Sequence, residues 1–102
     1  EAEYIIAEIY LNDFNDYSAA TEYYTKILNS YPKTFNVVKK SMFTLAYIYA
    51  NNLASYSDAI YFYELFKKEY PEDELLPSID YELLGLYKHK LVIESLLNST
   101  KQ

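Results

Sequence analysis

The side chains able to do chemistry are few and scattered. His89 is the only histidine, and Lys88 and Lys90 flank it. One imidazole with no second histidine and no cysteine cannot complete an ordinary zinc site, and beside two lysines it reads as a solvated side chain. The absence of cysteine removes disulfides, thiolate ligands and thiol nucleophiles. The carboxylates Glu22, Glu64, Glu69, Glu72, Asp73 and Glu74 fall where helix surfaces and caps are expected. Acidic residues in a first turn complement the helix dipole, so the Glu72–Glu74 run needs no catalytic role. A single glycine cannot build a phosphate-binding loop. Asn98-Ser99-Thr100 has the spacing of a glycosylation acceptor, a three-residue match with no accompanying sign of secretion. The sequence therefore predicts no catalytic residues, no metal site and no cofactor; the chain is not expected to be an enzyme.

Composition points to a small helical body. The chain has 102 residues, 51% of them hydrophobic, which is enough for a core. One Gly and three Pro leave few places for tight turns. No run of about 18 apolar residues offers a membrane span. The acidic, amphipathic start, Glu1 to Tyr10, does not read as a signal peptide. It also lacks an initiator Met, which predicts a segment cut from a longer protein whose signal or anchor would lie upstream. The net charge of −6, with nine Lys and Arg, provides no basic stripe for phosphates, so nucleic acid is not an expected partner.

The elements emerge from a repetition. YSAATEYYTKILNSYP, Tyr17 to Pro32, returns as YSDAIYFYELFKKEYP, Tyr56 to Pro71, an offset of 39 residues. Upstream, Ala7, Ile9, Tyr10 and Asn12 match Ala46, Ile48, Tyr49 and Asn51 at the same offset. The polar segments NDFND and NNLAS suit short turns between helices. Apolar residues recur at three and four, as in Ile6, Ile9 and Tyr10 or Met42, Leu45 and Tyr49, which is helical spacing. Each Tyr-Pro ends a helix, because the residue before proline is pushed out of the α region. Thr34 and Asp73 are the expected N-caps of the helices that follow.

These residues resemble the tetratricopeptide repeat, written W-x2-L-G-x2-Y, A-x3-F, P. The second unit reads Met42-x2-Leu45-Ala46-x2-Tyr49, Ala59-x3-Tyr63, Pro71. The first reads Ile6-Ala7-x2-Tyr10, Ala20-x3-Tyr24, Pro32, with Glu3 where the large aromatic usually stands. A third unit opens with Tyr81-x2-Leu84-Gly85, which places the only glycine at the family's small position. The resemblance implies an all-α, right-handed stack of antiparallel helical hairpins. The chain is expected to be one segment, residues 1–102, with repeats at about 2–35 and 36–73 and a partial third repeat or capping helix over 74–102. Helices are expected at about 2–12, 17–30, 36–50, 57–69 and 74–98. Small residues would sit at close crossings and large aromatics between them, since no hairpin buries its apolar face alone.

Three departures qualify the likeness. The period is 39 residues, against about 34 for the usual repeat. Ile27 and Phe66 stand where the family places a small residue, which predicts wider local spacing. After Gly85 the register fails, so either the third unit is cut or one long helix caps the stack. The linker from Tyr70 to Gly85, with Pro71 and Pro77, is similar to repeats of bacterial envelope members, the outer-membrane assembly lipoprotein and the Tol–Pal coordinator. That likeness implies a periplasmic location.

The resemblance further implies that first helices line a concave groove that meets a ligand. The positions are Tyr4, Glu8 and Leu11, then Phe43, Tyr47 and Ala50, then Glu82, Leu86 and His89. None is the Lys, Asn or Arg with which the cochaperone branch clamps a C-terminal carboxylate. The groove reads as aromatic and apolar with acidic points, which suits a protein or peptide presenting apolar side chains beside Lys or Arg. The expected function is a non-catalytic protein–protein interaction scaffold. The alternative is a structural module that self-associates through the aromatic face as a homo-oligomer within a larger repeat protein.

Overall fold

The computed structural model describes residues 2–100. They form five helices in sequence: α1 (Ala2–Asn12), α2 (Tyr17–Ser30), α3 (Asn36–Asn51), α4 (Tyr56–Glu69) and α5 (Leu76–Thr100). No strand occurs among the described residues. The principal contacts run from each helix to the next, α1 to α2 through α4 to α5. The body measures 51 × 33 × 20 Å with a radius of gyration of 15.0 Å. A compact domain of this length would have about 13 Å, so the molecule is an elongated stack.

The 39-residue offset is carried down to individual bonds. In the first hairpin, Asp13 and Phe14 amides donate to the Ile9 carbonyl, and the Asp16 amide donates to Tyr10. In the second, Asn52 and Leu53 donate to Ile48, and Ser55 donates to Tyr49. Both turns pivot on a residue with positive φ, Asn15 at 52° and Ala54 at 51°. Asparagine tolerates that left-handed conformation; alanine adopts it at a cost. The N-caps differ. Asp16 accepts from the Ala19 amide at 3.1 Å, whereas Ser55 turns its hydroxyl to Asp58 at 2.6 Å instead of capping the backbone.

Packing repeats in the same way. Ala7, Ala20, Ala46 and Ala59 are all fully buried, as close helix approach requires. Tyr10 stacks on Tyr23 at 5.7 Å, and Tyr49 on Phe62 at 5.8 Å. Tyr4 meets Tyr24 edge-on at 5.9 Å, and Phe43 meets Tyr63 at 6.1 Å. Ile27 and Phe66 are completely buried beneath these pairs. Polar ties hold one hairpin to the next: Lys33 to Glu69 and Lys39 to Asp73, both at 2.7 Å. The Tyr70 hydroxyl also donates to the Lys33 carbonyl at 2.8 Å.

Two expectations are corrected. Thr34 is not the cap of α3: Phe35 occupies that position and makes no side-chain cap bond. The turn is closed instead by backbone bonds, with the Phe35 amide on the Pro32 carbonyl and the Val38 amide on Phe35. Asp73 does accept from a nearby amide, that of Leu75 at 2.9 Å, but α5 begins only at Leu76. Pro77 then falls in its first turn, where a missing amide proton costs little.

The second correction is the register of α5. Gly85 does not stand at a close crossing; a Cβ there would meet nothing within 4 Å. The residues of α5 that are buried are Ile79, Leu83 and Leu86. They match Ser41, Leu45 and Ile48 of α3, all fully buried, at an offset of 38 and not 39. The linker is one residue short, and a one-residue slip turns a helix by about 100°. It is Leu84, not Gly85, that falls at the small position of Ala46.

Candidate functional site

The nine groove positions divide into two sets. Tyr4 and Phe43 are half-buried and turn inward, each meeting the tyrosine of its own hairpin edge-on. Phe43 also touches Phe66 at 6.2 Å. Leu11 and Ala50 are half-buried against the core. Leu86 is buried and faces the core. Glu8, Tyr47, Glu82 and His89 are exposed, with Tyr47 retaining 52% of its surface.

Two buried phenols link the exposed residues to the core. Burial first, with smaller contributions from Glu82 and Tyr47, pushes the Tyr63 hydroxyl up to about 12. The Tyr24 hydroxyl is likewise pushed up by burial, with added contributions from Tyr4 and Glu8. Glu82 and Tyr47 thus act electrostatically on Tyr63, and Glu8 on Tyr24. His89 belongs elsewhere: its ring lies 4.2 Å from that of Tyr56.

Among the described residues no group of three or more His, Cys, Asp or Glu could hold a metal ion. Among the described residues no helix is long and apolar enough to cross a membrane. Asn98, Ser99 and Thr100 form the last turn of α5, where the Thr100 hydroxyl donates to the Leu97 carbonyl.

Sequence reasoning missed a hollow of about 380 Å³ on the other side of the stack, bordered by Thr25, Leu28, Tyr31, Met42, Phe62 and Leu65. It opens between α2 and α4, with Val38 and Met42 of α3 also on its wall.

A family model described as the tetratricopeptide repeat matches residues 1–34 and 40–73. Neither curated proteins nor solved structures gave a match. The similarity thus extends to the repeat family as a whole, and it spares residues 74–102, where the offset changes. Repeats of this kind generally mediate protein–protein interaction, and the family is typically a non-catalytic scaffold. With two matched repeats over most of its length and the contacts of the first duplicated in the second, the chain belongs to the tetratricopeptide repeat family.

Proposed function

We propose that the chain is an interaction scaffold that holds a peptide or partner domain on the face formed by α1, α3 and α5. The observation that supports this reading is Tyr47. It is a large amphipathic ring, half exposed, on the central helix. Such rings give wide contact area at low entropic cost and dominate binding energy when a partner covers them. Glu8 of α1 and Glu82 of α5, both exposed, would supply the acidic points of this face, so the partner presents apolar side chains beside Lys or Arg. A net charge of −6 would steer such a basic segment and speed association at low salt.

The test captures a partner on the immobilised chain and repeats the measurement with Tyr47→Ala at two salt concentrations. The variant is expected to lose ~1–3 kcal/mol of binding with unchanged thermal unfolding. Equal affinity in both proteins would sink the groove reading. A dimer by light scattering that Tyr47→Ala dissolves would instead assign this face to self-association.

A further inference from the structure

Tyr24 of α2 and Tyr63 of α4 stand 39 residues apart, at the place where the repeat pattern has Phe. Both side chains are buried, with 2% and 1% of their surface exposed. Tyr24 meets Tyr4 edge-on, and Tyr63 meets Phe43 in the same way. A phenylalanine would fill either space, so packing does not call for the hydroxyl. Other phenols find acceptors: Tyr31 on Glu3, Tyr70 on the Lys33 carbonyl and Tyr87 on Glu64. No hydrogen bond among the described residues engages the hydroxyl of Tyr24 or Tyr63, and burial is the first cause that keeps both neutral. Nor are the two oxygens sealed. Among the described residues, Ser41 Oγ is the only enclosed side-chain oxygen or nitrogen without a partner. Each phenol is therefore a buried side chain with an unpaired tip open at the surface. Tyr4, Glu8, Tyr47 and Glu82, which act electrostatically on them, are all groove positions, so the tips open into the groove. Helix α2 packs against both α1 and α3, and α4 against both α3 and α5, which makes the openings features of the interior of the stack.

We propose that the Tyr24 and Tyr63 hydroxyls donate hydrogen bonds to main-chain carbonyls of an extended peptide segment lying along the groove. The inference rests on the groove reading and adds the form of the occupant. A neutral phenol is a donor, and here two like donors recur with the repeat. The one acceptor of a peptide that recurs whatever its sequence is the main-chain carbonyl. In a helix those carbonyls are already engaged by amides four residues on; in an extended segment they are free to accept. A helix laid over the groove would leave both hydroxyls covered and unpaired, which is unfavourable. In an extended segment successive side chains point to opposite faces. Apolar ones can then cover Tyr47 while Lys or Arg reaches toward Glu8 or Glu82. Main-chain bonds supply affinity in such an arrangement, and the side chains supply specificity.

The probe is a set of short fluorescent peptides, amidated at the C-terminus and composed of Lys, Arg, Leu and Phe, screened by anisotropy against the full chain. The tightest member is then titrated on Tyr24→Phe, Tyr63→Phe and Tyr47→Ala. Each hydroxyl removed is expected to weaken binding about three- to tenfold, with no loss in thermal unfolding at neutral pH. Replacing the contacted amide by an ester, a weaker acceptor, should weaken binding to the wild type but not to the variant lacking the matching hydroxyl. A merely structural role would not produce that coupling. Weaker binding with Tyr47→Ala but unchanged binding with both Tyr24→Phe and Tyr63→Phe overturns this inference and leaves the groove reading standing. So does a bound peptide that is helical by difference circular dichroism. Indifference to Tyr47→Ala, or no peptide bound at all, overturns the groove reading and this inference with it.

Discussion

The first four helices and the fifth are built from similar residues and behave differently. Between α1 and α4 a 39-residue shift reproduces turns, stacked rings and crossings almost contact for contact. Along α5 the apolar residues are as frequent, yet Leu91, Val92, Ile93, Leu96 and Leu97 are all exposed. The difference lies in the number of neighbours. Each of α2, α3 and α4 is held on two sides, whereas the chief partner of α5 is α4. Repeat sequence specifies a face, and only an adjacent helix turns that face into a core.

Truncation should expose this contrast most strongly. Phe66 is fully buried, and Phe66→Ala is expected to cost ~3–5 kcal/mol in chemical denaturation. Leu91→Ala, on the exposed part of α5, should stay within about 0.5 kcal/mol. A comparable loss at Leu91 would mean that α5 is already covered in solution.

Alkaline titration comes next. The Tyr63 hydroxyl has its folded-state pKa raised from 10.0 to about 12 by burial first. A raised pKa favours the neutral form, so this contribution is complete below pH 10 and lost as pH rises toward 12. It amounts to roughly 3 kcal/mol. Tyr87 is also raised to about 12, but chiefly by its hydrogen bond to Glu64 at the surface. Tyr63→Phe should therefore move the alkaline unfolding midpoint upward, and Tyr87→Phe should move it less, because solvent screens its exposed hydroxyl. Circular dichroism against pH would show equal shifts if the two phenols were equivalent.

The small positions provide the finest comparison. Ala59 is fully buried at a crossing, and Ala59→Leu should overpack it by ~1–3 kcal/mol. Gly85 has open space where a Cβ would go, so Gly85→Ala should stabilise by up to about 1 kcal/mol through helix propensity alone. A destabilising Gly85→Ala in thermal unfolding would restore the close crossing that the motif suggested.

The legible part of the fold is the part written twice. α1 and α2 have the expected bounds, because Tyr-Pro and the polar turns punctuate them from both ends. α5 shows where reading by motif stops. Gly85 matched the family's small position by residue type, but a linker one residue shorter carried Leu84 there instead, and only burial reveals it. Tyr4 and Phe43 illustrate a related limit. Their spacing marks a face, but whether an aromatic at the edge of that face turns inward depends on the ring across from it. The exposure of Tyr47 beside an inward-turned Phe43 is a packing outcome that helical period alone does not encode.

The elongated shape, in which each helix mainly touches the next, bears on how the chain comes to be folded. A contact between successive helices closes a short loop, and folding rate rises as such local contacts dominate. A nascent chain leaving the ribosome can close its first hairpin before the second is synthesised, with no need to wait for a distant strand or terminus. Helix α5, with one chief partner, is the segment that such an assembly line would finish last.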